Sequence, residues 1–453
     1  MLAFMGFMMV IATIYLLVKG KSNPITVMII VPVISAFIVG TNLDELSTYV
    51  GAGIDTVINN AVLFIFSIIF FGVIQDLGVF DPMVDWLTDK AGNNIVAVTV
   101  ATAIIGVIAH IDGATATTVL ITIPSMYPIY KRLGIKTEVL LALTTAAMGV
   151  MNLLPWGGPV ARVAAVLGLD ANELWLSLIP VQLFGLVLII GIAIILGLQE
   201  KRRLEALPQV ATANAAVEMP TEELVAGTTS AVKEDGQTKV GNKIEDKHKK
   251  LFPFNAIWTV LVIGVLVMDV LPAYLVFMIG LSVTFLVNYP SIKEQNAALT
   301  RHAGSALMIA ATMLAAGVMV GVMDGTGMVE AMAGFLTNLI PDVLGRFTHI
   351  IFGVLSTPLG LMVSTDAYFF GFLPPLAEVG SQFGVDPVST GIAMLMGKNL
   401  SLMISPIVPA TDLALGLVED VEFKDHLKFT LKYVWIASIL MLIFSVLTGL
   451  IQL

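Results

Sequence analysis

His110-Ile111-Asp112-Gly113-Ala114-Thr115-Ala116-Thr117-Thr118 places an imidazole, a carboxylate, a glycine and several threonines inside an otherwise apolar region. The arm before it runs from Ile95 to Ala109. The arm after it, Val119 to Tyr130, is interrupted by Pro124 and Pro128, and the whole unit extends from Ile95 to Leu133. Wound as helices the arms reach roughly 18–24 Å, short of the ~30 Å hydrocarbon core of a bilayer. Two short apolar arms around a polar tip describe a re-entrant hairpin, which dips into the membrane and returns to the side it left. Polar, non-helical backbone at that depth is tolerated only where it is buried in protein or lines a wet cavity. The alternative is a pair of short spanning helices joined by an outside loop.

The surroundings are those of a polytopic helical membrane protein. The 453 residues are 57% hydrophobic and only 12% charged, against about 25% charge in ordinary soluble domains. Apolar runs of spanning length recur from end to end. The net charge of −10 says little about partners, because orientation follows the placement of Lys and Arg. There is no cysteine, which excludes disulfides, thiolate metal sites and a cysteine nucleophile. Leu2–Val18 has no basic leader or small-residue cleavage site and reads as a retained span.

Spans follow at Pro24–Gly40 and Ala61–Ile74, separated by a polar, acidic stretch, Thr41–Ile58, read as an outer loop. Phe80–Lys90, carrying Trp86, reads as an interfacial helix. After the hairpin, Val139–Leu154 is broken by Asn152-Leu153-Leu154-Pro155-Trp156-Gly157-Gly158-Pro159 and resumes over Val160–Leu167; Leu174–Leu198 ends the first half. Residues 201–250 lose apolar content and read as a disordered linker. The second half echoes the first. Ser364-Thr365-Asp366 answers the tip at Asp112, with arms Ile350–Val363 and Phe369–Val379, and Pro406-Ile-Val-Pro409 answers the first break. Each half then holds about five crossings and one hairpin, and an odd number of crossings makes the halves inverted repeats. Lys and Arg concentrate in alternate connections, which puts both termini outside and the linker in the cytoplasm.

Charged groups at bilayer depth are functional candidates by default. Asp112 and Asp366 hold equivalent tip positions, and His110, beside Asp112, titrates near physiological pH. The plainer alternative is that the aspartates cap helices. At the first break, Gly157, Gly158 and Pro159 open a half-helix whose dipole and free N–H groups suit an anion. Arg162 follows within one turn, and Asp412 takes the matching place after Pro409. They are either ligands or a structural pair. Asn152 and Asn399, with Lys398, precede the two breaks; the asparagines suit a carboxylate or a metal, or serve as helix glue. No His-Glu-x-x-His, no Gly-x-x-x-x-Gly-Lys-Ser/Thr and no Gly-x-Ser-x-Gly occurs, which argues against a membrane enzyme.

The hairpin tips Asp112-Gly-Ala-Thr-Ala-Thr-Thr and Ser-Thr-Asp366, with Asn152-Leu-Leu-Pro-Trp-Gly-Gly-Pro159, resemble the citrate–divalent metal–proton symporter family (CitMHS) of the ion transporter superfamily. The resemblance covers the whole chain. It implies an all-α polytopic homodimer in the plasma (inner) membrane of a prokaryote, working as an elevator. Scaffold helices would occupy 1–92 and 251–340, and moving hairpins with broken helices 93–200 and 345–453. Sodium-coupled relatives carry Ser-Asn-Thr at both tips; its absence here favours protons. The substrate is expected to be citrate chelating Mg or Ca, with no resident cofactor and no nucleic-acid partner. Asp112, Gly113, Thr115, Asn152, Gly157, Gly158, Arg162, Thr365, Asp366, Lys398, Asn399 and Thr411 form the expected substrate site. His110, Asp112, Asp366 and Asp412 are the expected proton carriers, and Asp112 and Asp366 would meet the metal. Alternatives within transport are a sodium–proton antiporter and a sodium-coupled di- or tricarboxylate carrier.

Overall fold

The computed structural model describes residues 1–19, 22–206 and 246–452, which form helices and turns without a strand. The first half runs α1 (Leu2–Val18), α2 (Pro24–Ile38), α3 (Leu43–Asp76), α4 (Asp81–Ala91) and α5 (Ile95–Ala109). It continues through α6 (Thr115–Leu133), α7 (Thr137–Met151), α8 (Gly158–Leu167) and α9 (Ala171–Glu205). The second half holds α10 (Asp246–Met268), α11 (Ala273–Asn288), α12 (Ile292–Gly325), α13 (Met328–Thr337) and a short α14 (Asp342–Gly345). Then come α15 (Thr348–Gly360), α16 (Leu373–Gln382), α17 (Pro387–Leu400), α18 (Pro409–Gly416) and α19 (Phe423–Leu447). Among the described residues five helices are long and apolar enough to cross a membrane: α3, α9, Lys250–Met268 of α10, α12 and α19. The edges of the expected linker, 201–205 and 246–250, belong to α9 and α10; most of it lies outside the described residues.

The stretch Thr41–Ile58 is not a loop. Asn42 Oδ1 accepts the Glu45 N–H at 2.9 Å while Glu45 Oε2 accepts the Asn42 N–H at 3.0 Å. This reciprocal cap starts α3 at Leu43 and satisfies two otherwise orphaned donors. Its acidic first turn also suits the positive end of the dipole. The helix then continues unbroken to Asp76. Ser291 starts α12 in a similar way, accepting from Glu294 N–H at 3.2 Å.

α3 and α12 pack along each other with glycines at their crossing. A Cβ on Gly317 would lie 2.7 Å from the Gly53 carbonyl oxygen, and one on Gly53 would lie 2.8 Å from Gly321 Cα. Gly317-Val-Met-Val-Gly321 is a small-xxx-small stripe, which lets two backbones touch where lipid supplies no hydrophobic drive. Asp76, at the end of α3, receives Arg301 Nε at 3.1 Å and His302 Nε2 at 3.0 Å from α12.

α5 and α6 pack against each other around a tip at residues 110–114, and α5 has the bounds read from sequence. The second hairpin pairs α15 with a π-helical turn, Ala367–Phe372, that leads into α16. A tyrosine clasps each hairpin: Tyr130 meets Thr102 at 3.0 Å, and Tyr368 meets Ser356. The two broken helices form the centre. Every residue of α7 after Glu138 is buried, as is α17 from Ser389 to Leu400. They cross where a Cβ on Gly149 would lie 2.8 Å from Leu400 Cα. Beyond the breaks the packing is exchanged between halves: α8 lies on the π-helical turn and α16, and α18 lies on α6. The α18–α19 loop is tied to the first hairpin by Asp420, which accepts from Tyr127 (3.0 Å), Lys131 (3.1 Å) and Thr137 (2.9 Å). Partial burial works to raise the Asp420 pKa, but the bonds from Thr137, Lys131 and Tyr127 outweigh it and hold the carboxyl below its ordinary value.

Candidate functional site

α7 stops at Met151 because Pro155, four residues on, has no N–H to give back to its last carbonyls. The chain turns instead: the Gly157 N–H bonds the Leu154 carbonyl at 2.8 Å. Any side chain at Gly157 would lie 2.8 Å from that same oxygen, so the turn is closed to other residues. Of the two glycine N–H groups expected for an anion, Gly157 is therefore already used. Gly158, the first residue of α8, has no helical acceptor for its own. Pro159 follows inside the first turn, where its missing N–H is harmless.

The first tip docks on this break. Trp156 Nε1 donates to the Ile111 carbonyl at 2.6 Å. Gly113 has φ +72°, and a Cβ there would come within 3.2 Å of the Trp156 carbonyl. Only glycine takes that backbone angle so close to a neighbour without strain. The Trp156 ring packs on Phe71 of α3 and Phe277 of α11, with centroids 4.7 and 5.2 Å away. Asp112 is buried and accepts the Ala114 N–H at 2.8 Å, a local turn that starts α6. Thr115 is half-buried in the first turn of α6. His110 is fully buried and its Nδ1 meets Thr118 Oγ1 at 2.6 Å. The buried Asn152 side chain lies beside this ring as its second polar neighbour.

Asn can accept the Ala114 N–H as Asp does, so Asp112→Asn keeps the turn and removes only the charge. We expect this variant to accumulate in the membrane at wild-type abundance; loss of folded protein would show that the charge itself holds the tip.

The second tip removes the alternative of a structural pair within the breaks. Arg162 does not pair with Asp412. Its Nε and Nη2 both reach Asp366 Oδ1 at 2.6 Å, while Nη1 donates to the Gly158 carbonyl at 2.7 Å. The two side chains are 12% and 16% exposed, so the pair is mostly but not wholly enclosed by this chain. Asp412 is exposed on α18. The matching places in the two breaks do not face each other, because α8 packs on the second hairpin while α18 packs on the first.

Lys398 was expected to face a carboxylate. Its fully buried ammonium instead donates to the carbonyls of Gly360 (2.7 Å) and Val363 (2.9 Å), and it lies 5.7 Å from the centre of the Tyr368 ring. It thus caps the C-terminal end of α15, where the dipole is negative. Ser405 Oγ reinforces that end by donating to the Leu361 carbonyl at 3.2 Å. Thr411 is spent on the Ser405 carbonyl at 2.9 Å. Thr365 is half-buried beside Asp366. Asn399 is buried with both amide atoms unpartnered among the described residues. The roles of Trp156 and Ser405 as clasps for the two tips were missed. The Trp in the first break was visible, but nothing local to it indicates Ile111 as the acceptor. A cavity of about 480 Å³ lined by Asn59, Asp170, Glu173, Asp269 and Tyr274 touches none of these groups.

The family model described as "Citrate transporter" (CitMHS) matches residues 7–397. The chain belongs to this citrate transporter family. This family member is 35% identical over 452 residues to a "Citrate transporter" of Bacillus subtilis (strain 168), covering 100% of both chains. It is 34% identical over 449 residues to the "Mg(2+)/citrate complex secondary transporter" of the same organism, covering 99% of each. Among solved structures it is similar to the YdaH transporter of Alcanivorax borkumensis, with a TM-score of 0.58, 14% identity and 90% of each chain covered. That likeness shows the fold. The citrate transporter family and the apolar helices together make this a multi-pass membrane protein.

Proposed function

We propose that the protein is a proton-coupled secondary transporter that takes up citrate as its complex with a divalent cation, Mg or Ca. The observation that carries this reading is the Arg162–Asp366 contact, where a cation of the first half meets an anion of the second at a mostly enclosed position. A guanidinium grips a carboxylate with parallel hydrogen bonds, and hard divalent cations take carboxylate oxygens. Among the described residues no group of three or more His, Cys, Asp or Glu side chains could hold a metal by itself. Citrate would then supply most of the metal's ligands, with Asp366 completing the shell. Asn152 and Asn399, both buried, are suited to the remaining polar groups of the chelate, and neither amide atom of Asn399 has a partner among the described residues. His110 is the favoured proton carrier, since its imidazole is fully buried at the first tip with only the neutral side chains of Thr118 and Asn152 as polar neighbours. The 34% identity to a Mg(2+)/citrate complex transporter supports the same substrate.

In this reading the two halves are inverted repeats, supported by the recurring order of long helix, hairpin and broken helix. α1–α4 and α10–α13 form the scaffold of an elevator in a homodimer, and the hairpins and broken helices move. The protein lies in a prokaryotic plasma membrane with both termini outside. The test is uptake of labelled citrate into proteoliposomes with and without Mg²⁺ or Ca²⁺. Uptake should require the metal and rise with an inward proton gradient while ignoring sodium. Sodium-dependent uptake that ignores pH would point to a sodium-coupled carrier instead.

A further inference from the structure

We infer that the Arg162–Asp366 pair is the element that makes the site selective for a metal chelate over either of its components. The inference rests on the substrate proposed above. The carboxylate oxygen Oδ1 of Asp366 receives both Nε and Nη2 of Arg162 at 2.6 Å, and the remaining guanidinium nitrogen is held by the Gly158 carbonyl. Without substrate, each charge is therefore the other's principal partner. The Lys398 ammonium, hydrogen-bonded to the carbonyls of Gly360 and Val363, adds a second positive charge near the pair, attractive to Asp366 and repulsive to Arg162, but it makes no direct contact with either.

A ligand entering this site must break the pair to use it. Metal-free citrate can satisfy Arg162, but it leaves Asp366 facing an added negative charge in a mostly desolvated place. A bare divalent cation can satisfy Asp366, but it strands Arg162 beside a new positive charge. Leaving one member of a mostly buried ion pair uncompensated is far costlier than exchanging both partners together. A citrate–metal chelate brings both signs at once: a carboxylate takes over the guanidinium fork, and the metal takes over the aspartate. Two ion pairs replace one, and no charge is left alone. Selectivity then comes from a repulsive element against each incomplete ligand as well as from attraction to the whole.

Removing the aspartate charge should abolish the discrimination against metal-free citrate while leaving Arg162 available. The experiment measures binding of citrate to the purified full-length protein, once with excess Mg²⁺ and once with a chelator present. Wild-type, Asp366→Asn, Asp366→Ala and Asp366→Glu proteins are compared. In wild type and Asp366→Glu, Mg-citrate should bind at least tenfold more tightly than metal-free citrate. In Asp366→Asn and Asp366→Ala that ratio should fall to within about threefold of one, chiefly because metal-free citrate binds at least tenfold more tightly than it does to wild type. Retention of the wild-type ratio in the asparagine and alanine variants would overturn the inference and leave the proposed transport function standing. A ratio that collapses only through weaker Mg-citrate binding would also overturn it, since Asp366 would then be an ordinary metal ligand. If neither variant accumulated in the membrane, the pair would be a structural strut and the inference would fall. A wild-type protein that bound citrate in neither condition would instead remove the functional reading on which the inference rests.

Discussion

Arg162→Ala should nearly abolish uptake of Mg-citrate into proteoliposomes, with the protein still present in the membrane. The guanidinium is the cation that opens α8, it stays charged at any working pH, and it is already held in the geometry that grips a carboxylate. A hydrogen bond to a charged group contributes very roughly 1.5–3 kcal/mol, about 10- to 150-fold in affinity. Truncation also strands Asp366, so the loss should reach the upper end of that range or pass it. Arg162→Lys keeps the charge and loses the fork, and should raise the apparent KM strongly with a smaller effect on the maximal rate. The competing view makes Arg162 only the counter-ion of Asp366. It requires that Arg162→Ala combined with Asp366→Ala recover transport, because no charge is then left unpaired. We expect the double variant to be inactive; recovery would move Arg162 out of the binding machinery.

The largest effect on stability is expected where α3 and α12 cross. Gly317→Leu should prevent accumulation of folded protein, and Gly317→Ala should lower the thermal midpoint clearly. The added Cβ would lie 2.7 Å from the Gly53 carbonyl oxygen and 2.8 Å from Val57 Cγ2. One obstacle is backbone, so relief requires two 34-residue helices to part along their contact. Overpacking of ordinary cores costs about 1–3 kcal/mol, and a backbone clash between two long helices should exceed it. Gly51 is the control. It lies on the same helix as Gly53, but a Cβ there meets nothing within 4 Å. Gly51→Ala should leave size-exclusion behaviour and thermal midpoint unchanged. A folded, stable Gly317→Leu protein would show that the crossing can open without loss.

Much of the helical order was legible because the apolar runs end at polar or proline-bearing interruptions. The limits of α5, the tip at His110–Ala114 and the resumption of helix near Pro159 all follow from local chemistry. The start of α3 was missed because Asp44 and Glu45 read as loop residues, although Asn42 and Glu45 have the spacing of a helix start. The partner of Arg162 was not legible for a different reason. Pseudo-symmetry placed Asp412 opposite it, and both residues occupy matching positions in their own halves. Contacts between halves depend on how the segments beyond the breaks are exchanged, and no short-range pattern encodes that. Lys398 illustrates the same limit. A lysine beside a break suggests a ligand for an anion, and only the tertiary structure brings two carbonyls to its ammonium.

The distance in sequence between Arg162 and Asp366 has a consequence for biosynthesis. The aspartate follows its partner by 204 residues. At ribosomal speeds of about 5–20 residues per second, that is a delay of roughly 10–40 s. During this time the arginine has been inserted with the first half and has no counter-ion. The nascent chain must therefore keep α8 near water or in the insertion machinery until the second hairpin arrives. Closure of the ion pair then becomes one of the last events of assembly, and a chain that terminates before the second hairpin carries an unpaired arginine that cellular quality control can detect.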